Sequence, residues 1–340
     1  MIFGRKDALK SKELIDITGK VAFVTGANRG IGYMTVKRLA LQGATVYLGC
    51  RDETRGLEAV AALEREVADA YATASSPQPV PGKIVYHHCD LSRPELAKDC
   101  GDKFLERESR LDVLVNNAAA LPGGPGISPH DVVTINHFGT FQLTEVLLPL
   151  LTKTSQTNTD VRIVMVSTNG HRMGRASDRN IRFRTREDYF ADYHKDLIPP
   201  WQAYCVSKLA LFLATKALQR RLLSASSSEP ATHPITCISV HPGAVNTFSN
   251  RVPYLPGWLI TPIVNLFFIS PDAAARSLCY AAASPEVAED KEKFRGAYLV
   301  PGFKIDPDTD ITKNETLQDE VWESTVEILK AWPEAGQVAP

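Results

Sequence analysis

Val21-Ala22-Phe23-Val24-Thr25-Gly26-Ala27-Asn28-Arg29-Gly30-Ile31-Gly32 is the stretch that decides the fold. Its first four residues form an unbroken apolar run, the pattern of a parallel strand buried on both faces. Three glycines follow in G-x-x-x-G-x-G spacing. Glycine there permits a tight turn and close approach of backbone to a pyrophosphate, and a helix N-terminus behind it supplies free N–H groups and a positive dipole end. The helix is legible in Met34, Val36, Leu39 and Ala40 and stops at Gly43. An ordinary glycine-rich turn between a strand and a helix would look the same, so the reading needs support from the rest of the chain.

That support comes first from alternation. Short apolar runs at 20–25, 44–49, 83–88, 112–116, 161–167, 235–240 and 297–300 read as strands. Helical patterns at 30–43, 53–73, 93–109, 129–154, 201–225, 271–284 and 315–332 lie between and after them. Such alternation implies an α/β fold, a doubly wound parallel sheet of about seven strands with helices on both faces. The polar loops 74–82 and 224–234 do not divide it, because the strand pattern continues across both. A single domain over 18–305 is expected, with an N-terminal extension at 1–17 and a C-terminal helical extension at 306–340. There is no internal repeat.

Composition narrows the function. The 340 residues are 44% hydrophobic and 23% charged, with a formal net charge of -1. These are ordinary globular values, and the charge balance argues against nucleic-acid binding. Six cysteines (50, 89, 100, 205, 237 and 279) are scattered without a C-x-x-C pair, which suggests reduced thiols rather than a zinc site or disulfide framework. The N-terminal Met-Ile-Phe-Gly-Arg-Lys-Asp lacks an apolar core, so a cytoplasmic protein is expected. No metal is expected; His87 and His88 read as packing residues because no other ligands cluster with them.

Two further patterns carry chemistry. Asp112-Val113-Leu114-Val115-Asn116-Asn117 is a strand ending in paired asparagines, at the sheet edge where ligands bind in doubly wound folds; an Asx turn would also explain them. Tyr204 and Lys208 stand four apart on a helical pattern and therefore share a face. A cation beside a phenol lowers its pKa and lets it act as an acid or base near neutrality. A surface pair of no consequence has the same spacing.

Together these residues resemble the short-chain dehydrogenase/reductase family over roughly 18–300. Thr25, Gly26, Gly30, Ile31 and Gly32 meet its T-G-x-x-x-G-I-G pattern in full, and Tyr204 and Lys208 meet Y-x-x-x-K. Asn116, Asn117 and Ala118 meet N-N-A-G, with Ala119 in place of its glycine. Gly49-Cys50-Arg51-Asp52, Ile135-Asn136-His137-Phe138-Gly139-Thr140-Phe141, Ser207-Lys208-Leu209-Ala210 and His241-Pro242-Gly243 resemble its retinol-dehydrogenase-like branch. Many members of that branch carry an N-terminal membrane anchor, which this sequence does not show.

The resemblance implies a single-domain Rossmann fold and hydride transfer between a nicotinamide nucleotide and a carbonyl or alcohol. Tyr204 is then the general acid/base, Lys208 its partner and the anchor of the nicotinamide ribose, and Asn136 the holder of a proton-relaying water. A hydroxyl that orients the substrate ends the strand Arg162–Thr168. Where the family has paired serines the second usually has this role, which favours Thr168 over Ser167. The nucleotide is expected against Gly26, Asn28, Arg29, Gly30, Ile31 and Gly32, with Asp90 and Leu91 at the adenine. Asn117, Ala118, Pro242 and Gly243 complete its site, and Val245 and Thr247 contact the carboxamide.

Cofactor choice can be read from the residues. An acid at the end of the second strand favours NAD by binding the ribose 2′-hydroxyl, whereas a 2′-phosphate needs a cation. Cys50 stands where the acid would fall, and Arg51 follows it, with Arg29 in the glycine turn. Arginine suits phosphate geometry, so NADP(H) is expected; a solvated Arg51–Asp52 surface pair is the alternative.

Two segments should shape substrate choice. The insertion 170–200 is rich in arginine and aromatic residues and could favour an acidic substrate, although charged loops are usually just solvated. The stretch 254–269 is the most apolar in the chain and is too short to span a bilayer. It reads as a substrate lid within 246–270, as a peripheral membrane contact, or as a core or dimer helix. A small apolar ketone, aldehyde or alcohol is the expected substrate. The alternatives are a non-catalytic nucleotide-binding scaffold, suggested by Thr168 and Ala119, and a nucleotide-sugar epimerase, for whose larger C-terminal domain the chain has little room. A monomer or a homodimer fits, with 129–154 and 201–225 as the helices where the resembled family commonly dimerises.

Overall fold

The computed structural model describes residues 14–75, 78–121, 126–191, 193, 198–228, 234–243 and 269–332. Strands β1 (Val21–Thr25), β2 (Thr45–Cys50), β3 (Ile84–His88), β4 (Val113–Asn116), β5 (Arg162–Val166), β6 (Thr236–Val240), β7 (Tyr298–Val300) and β8 (Lys304–Ile305) form one sheet. Their order is β3-β2-β1-β4-β5-β6-β7-β8, parallel throughout except the β7–β8 pair. The two-residue β8, reached by a turn through Gly302, adds an eighth strand to the seven expected; it is too short to leave a periodic signature.

Helices α1 (Gly30–Leu41), α2 (Glu53–Ala72), α3 (Pro94–Arg107), α4 (Pro129–Val133), α5 (Thr140–Ser155), α6 (Arg186–Tyr189) and α7 (Pro199–Ser228) follow in chain order. After β6 come α8 (Pro271–Ala283), α9 (Pro285–Glu289), α10 (Lys291–Phe294), α11 (Asp310–Lys313) and α12 (Glu315–Lys330). Successive strand residues face opposite sides of the sheet. Ala22, Val24, Val46, Leu48, Val113 and Val115 pack with Val36, Leu39 and Leu278 on the α1–α8 side. Phe23, Tyr47, Leu114, Ile163 and Met165 pack with Phe104, Leu143, Leu147 and Leu211 on the other.

The sheet order reverses between β1 and β4, and a crevice for ligands opens outside the carboxyl ends of strands at such a switch point. The glycine turn after β1 and the asparagines ending β4 both sit there.

The pattern at 129–154 predicts one continuous helix. Instead α4 and α5 are joined by a π-helical segment, Thr134–Gly139. Two contacts account for the extra residue in this turn. Gly139 lies against the Leu91 backbone, where a Cβ would come 2.3 Å from the Leu91 carbonyl oxygen. The Asn136 side chain is tied to both backbone groups of Ala120. An inserted residue reorients a helix face without ending the helix.

The expected lid 246–270 and apolar stretch 254–269 lie outside the described residues except for Ile269 and Ser270. No described helix is long and apolar enough to cross a membrane.

Candidate active site

The turn after β1 is built on close backbone approach. Gly26 and Gly30 both have φ of +64°, in the left-handed region where a side chain is strained. A Cβ on Gly26 would lie 2.8 Å from the Ala118 Cα, and one on Gly32 would lie 2.6 Å from the Asn117 Nδ2. A Cβ on Gly30 would meet nothing within 4 Å, so this side of the turn is open. Thr25, fully buried, locks the turn to β4: its Oγ1 accepts from the N–H groups of Asn117 and Ala118, each at 3.0 Å. Asn117 Nδ2 donates back to the Thr25 carbonyl at 2.8 Å. The Asn117 amide nitrogen is thus spent on shaping the turn. Asn116 points into the core and donates to Thr144 Oγ1 at 3.0 Å. Ala119, in the place of the pattern's glycine, does not have positive φ, so alanine costs the backbone nothing there.

Arg29 and Arg51 are both exposed at the carboxyl ends of the adjacent strands β1 and β2. Neither makes an ion pair among the described residues. Asp52, the alternative partner of Arg51, instead caps α2 by accepting from the Arg55 N–H at 3.0 Å. Asp90 accepts from the Ser92 N–H at 2.8 Å, and Leu91 is buried beneath the π-helical segment. Asn28 and Ile31 are half-buried in the turn and the first turn of α1. Pro242 is buried beyond β6, and Gly243 has φ of +97°. Val245 and Thr247 lie outside the described residues.

Tyr204 and Lys208 are both buried on α7. The Tyr204 ring stacks on Trp201, with centroids 5.6 Å apart, and the Lys208 Nζ sits 5.9 Å from the Tyr204 ring centroid. Lys208 donates to the Val166 carbonyl at 3.0 Å. Contrary to the expectation from the spacing, this cation does not lower the Tyr204 pKa. Burial pushes the phenol up to about 12; the neighbouring Cys205 adds to this, and the nearby Thr168 hydroxyl offsets it only in part. Burial also depresses Lys208 to about 8. The ammonium serves the end of β5 and lies beneath the ring, while the phenol is shut away from water, so desolvation wins.

Of the two hydroxyls after β5, Thr168 faces Tyr204. A Cβ on Gly170 would touch Thr168 Cγ2 at 3.3 Å and Tyr204 Cε1 at 3.6 Å, so the three residues are packed together. Ser167 Oγ is buried without a hydrogen-bond partner among the described residues. The Asn136 side chain is engaged at both ends: Oδ1 accepts from Ala120 N–H at 2.7 Å, and Nδ2 donates to the Ala120 carbonyl at 3.1 Å and to Ser207 Oγ at 3.2 Å. It thereby couples the end of β4 to α7 one residue before Lys208.

His87 packs edge-on against Phe23 and Phe104 and donates from Nε2 to the Cys100 carbonyl at 2.9 Å. No group of histidine, cysteine and carboxylate side chains among the described residues could hold a metal ion. The six cysteines are free and buried.

Several site residues carry no sequence pattern. Beside the Thr168 turn a cleft of about 610 Å³ opens, lined by Asn169, Arg172, Met173, His241, Ile269 and Val300 among others. Tyr298 donates to Asn169 Oδ1 at 3.0 Å. The arginines of the insertion are also committed elsewhere. Arg172 pairs with Asp306, Arg182 and Arg184 pair with Glu320, and Arg186 lies over Trp332. They fasten the insertion to the C-terminal extension. That extension covers the helices expected to dimerise: α12 lies along α7, and Trp322 packs edge-on against Phe141 of α5 at 4.8 Å.

Comparison with known proteins gives the family. A family model described as short chain dehydrogenase matches residues 20–178. A short-chain dehydrogenase/reductase of Armillaria gallica is 37% identical over 328 residues, covering 94% of this chain and 95% of that protein. The chain belongs to the short-chain dehydrogenase/reductase family. Human retinol dehydrogenase 14 is 34% identical over 278 residues, covering 79% of this chain and 75% of its own, and the retinol-dehydrogenase-like branch is where the chain falls. Among solved structures, the Pseudomonas aeruginosa RhlG/NADP active-site complex superimposes with a TM-score of 0.59 at 22% identity, covering 85% of this chain and 98% of that one. At that identity the likeness speaks for the fold. As a member of this family the chain is an oxidoreductase of the dehydrogenase type that uses a nicotinamide nucleotide.

Proposed function

We propose that this dehydrogenase uses NADP(H) to interconvert an apolar ketone or aldehyde with its alcohol, with Tyr204 as general acid/base. The observation that carries the reading is the convergence of Tyr204, Thr168 and Lys208 at the carboxyl ends of β5 and α7's buried face.

The residues fit the nucleotide. The open side of Gly30 at the start of α1 suits a pyrophosphate approaching the helix N-terminus. Arg29 and Arg51, exposed and unpaired among the described residues, suit a 2′-phosphate. The bound nicotinamide supplies or accepts the hydride. Around the reacting carbonyl, Tyr204 donates its proton to the oxygen, a role suited to a phenol that burial keeps protonated at neutral pH. Thr168 donates a second hydrogen bond to the same oxygen as charge develops. Lys208 supplies positive charge below the site, and Asn136 holds the end of β4 and Ser207 in register. Met173, Ile269 and Val300 give the adjoining cleft an apolar wall.

Two substitutions test this reading. Thr168→Val keeps the shape and removes the donor, and should lower kcat by about 10²–10³-fold. Unchanged turnover in Thr168→Val, with loss in Ser167→Ala, would give the role to Ser167. Arg51→Ala removes a charged contact to the 2′-phosphate and should raise the KM for NADPH by roughly 10- to 100-fold, with little effect on NADH. Equal effects on both nucleotides would refute the NADP assignment. A scaffold without catalysis would bind NADPH yet turn over none of a panel of apolar ketones and aldehydes.

A further inference from the structure

We propose that His171 is a positioning residue for the reaction: anchored through Arg172 to Asp306, it grips the Thr168 carbonyl and so aims the Thr168 hydroxyl at Tyr204. This rests on Thr168 being the substrate-orienting hydroxyl.

Thr168 begins a 3₁₀ turn, Asn169–Arg172. Its own side chain is weakly restrained, since the Gly170 N–H reaches Thr168 Oγ1 only at 3.4 Å. Its carbonyl is held much more firmly, by the His171 N–H at 3.2 Å and His171 Nδ1 at 2.6 Å. A carbonyl only accepts, so Nδ1 carries a proton. On the far side of the ring, Arg172 Nε lies 3.0 Å from His171 Nε2. A guanidinium only donates, so Nε2 must be the acceptor. The two contacts together select one neutral tautomer. Burial works in the same direction, depressing His171 to about 4.

The imidazole cannot swing away. It stacks on Phe212 with centroids 4.8 Å apart and meets Tyr298 edge-on at 4.8 Å. Arg172 in turn donates to Asp306 at 2.5 Å and to the Pro307 carbonyl at 2.8 Å, with its guanidinium over the Tyr298 ring. The chain just beyond β8 therefore reaches the reacting centre through three side chains. The arrangement resembles the way a carboxylate or carbonyl fixes the tautomer and orientation of a functional imidazole, except that here the imidazole orients a backbone.

The test compares His171→Ala, His171→Asn, Asp306→Asn and the double variant His171→Ala/Asp306→Asn in steady-state kinetics, with NADPH affinity measured by fluorescence titration. Thr168→Val is run as the control. An asparagine amide can place its N–H where Nδ1–H stood. His171→Ala should lower kcat by about 10- to 100-fold, as expected for a misplaced reacting group, with NADPH affinity unchanged. His171→Asn should recover most of that loss. Asp306→Asn should cause a smaller loss that adds nothing to His171→Ala, because both act through one chain of contacts. Equal loss in His171→Ala and His171→Asn would mark mere packing and overturn the proposal. So would wild-type kcat in His171→Ala when Thr168→Val is impaired. Wild-type kcat in Thr168→Val would instead remove the hydroxyl reading on which the proposal stands. Should His171→Ala fail to fold, nitrogen-15 NMR of the wild-type ring decides: the Nδ1–H tautomer is expected, and an Nε2–H tautomer would overturn it.

Discussion

Tyr204→Phe is expected to lower kcat by about 10²–10⁴-fold, the usual contribution of a positioned general acid. NADPH affinity and folding should be nearly unchanged. The ring stays stacked on Trp201 and packed against the buried face of α7, and only the phenol oxygen is lost. A stability change below about 1 kcal/mol, the scale of a single hydrogen bond, is expected. Turnover is followed by the loss of reduced-nicotinamide absorbance, and binding by fluorescence titration. Substantial activity in Tyr204→Phe would move the acid role to another group. The pH profile gives a second check. Tyr204, held up at about 12, keeps its proton across the neutral range, whereas Lys208 loses its charge as pH rises through about 8. Carbonyl reduction should therefore weaken above about 8, well before the phenol itself ionises. A profile flat to pH 10 would exclude Lys208 as a required cation.

The largest stability effect is expected at Arg162. This side chain is fully buried at the start of β5. It donates to both Asp160 oxygens, at 2.7 and 2.9 Å, and to the Ala281 and Ser284 carbonyls, at 3.0 and 2.9 Å. Those two carbonyls end α8, so one guanidinium joins the sheet to the helix packed on it and satisfies acceptors that water cannot reach. Arg162→Met should cost about 3–5 kcal/mol, because the partners remain buried without their donor. Urea or thermal unfolding at neutral pH measures the loss. The deficit should shrink in acid. Burial would raise the Asp160 pKa, but Arg162 and Lys20 bring it below the ordinary 3.8. A carboxylate depressed in the folded state contributes stability above its unfolded pKa and loses it as pH falls through the folded value. A deficit under about 1 kcal/mol would show that the pair does no more than a surface ion pair.

How legible the molecule was depends on the range of the forces involved. The glycine turn could be read directly, because positive φ at Gly26 and Gly30 is a local requirement that few residues other than glycine meet. The strands could be read because burial on both faces leaves continuous apolar runs. Tyr204 and Lys208 could be paired because helix geometry puts i and i+4 on one face. The π-helical turn at 134–139 could not, since it answers to Leu91 and Ala120, which are distant in sequence. The charge of the insertion was visible but its use was not: the acids that take Arg172 and Arg182 lie more than a hundred residues downstream.

The sequence by itself determined the doubly wound fold and the glycine turn, and it set Tyr204 and Lys208 on one helix face, because each depends on local backbone geometry or on a short-range repeat. Only the tertiary structure decided that Tyr204 is buried, which raises its pKa, and that Lys208 donates to the Val166 carbonyl. It alone brought Arg172, His171 and Asp306 behind Thr168 and laid α12 along α7. Burial and long-range pairing are properties of the assembled chain, and no spacing along the sequence encodes the distance between side chains that folding brings together.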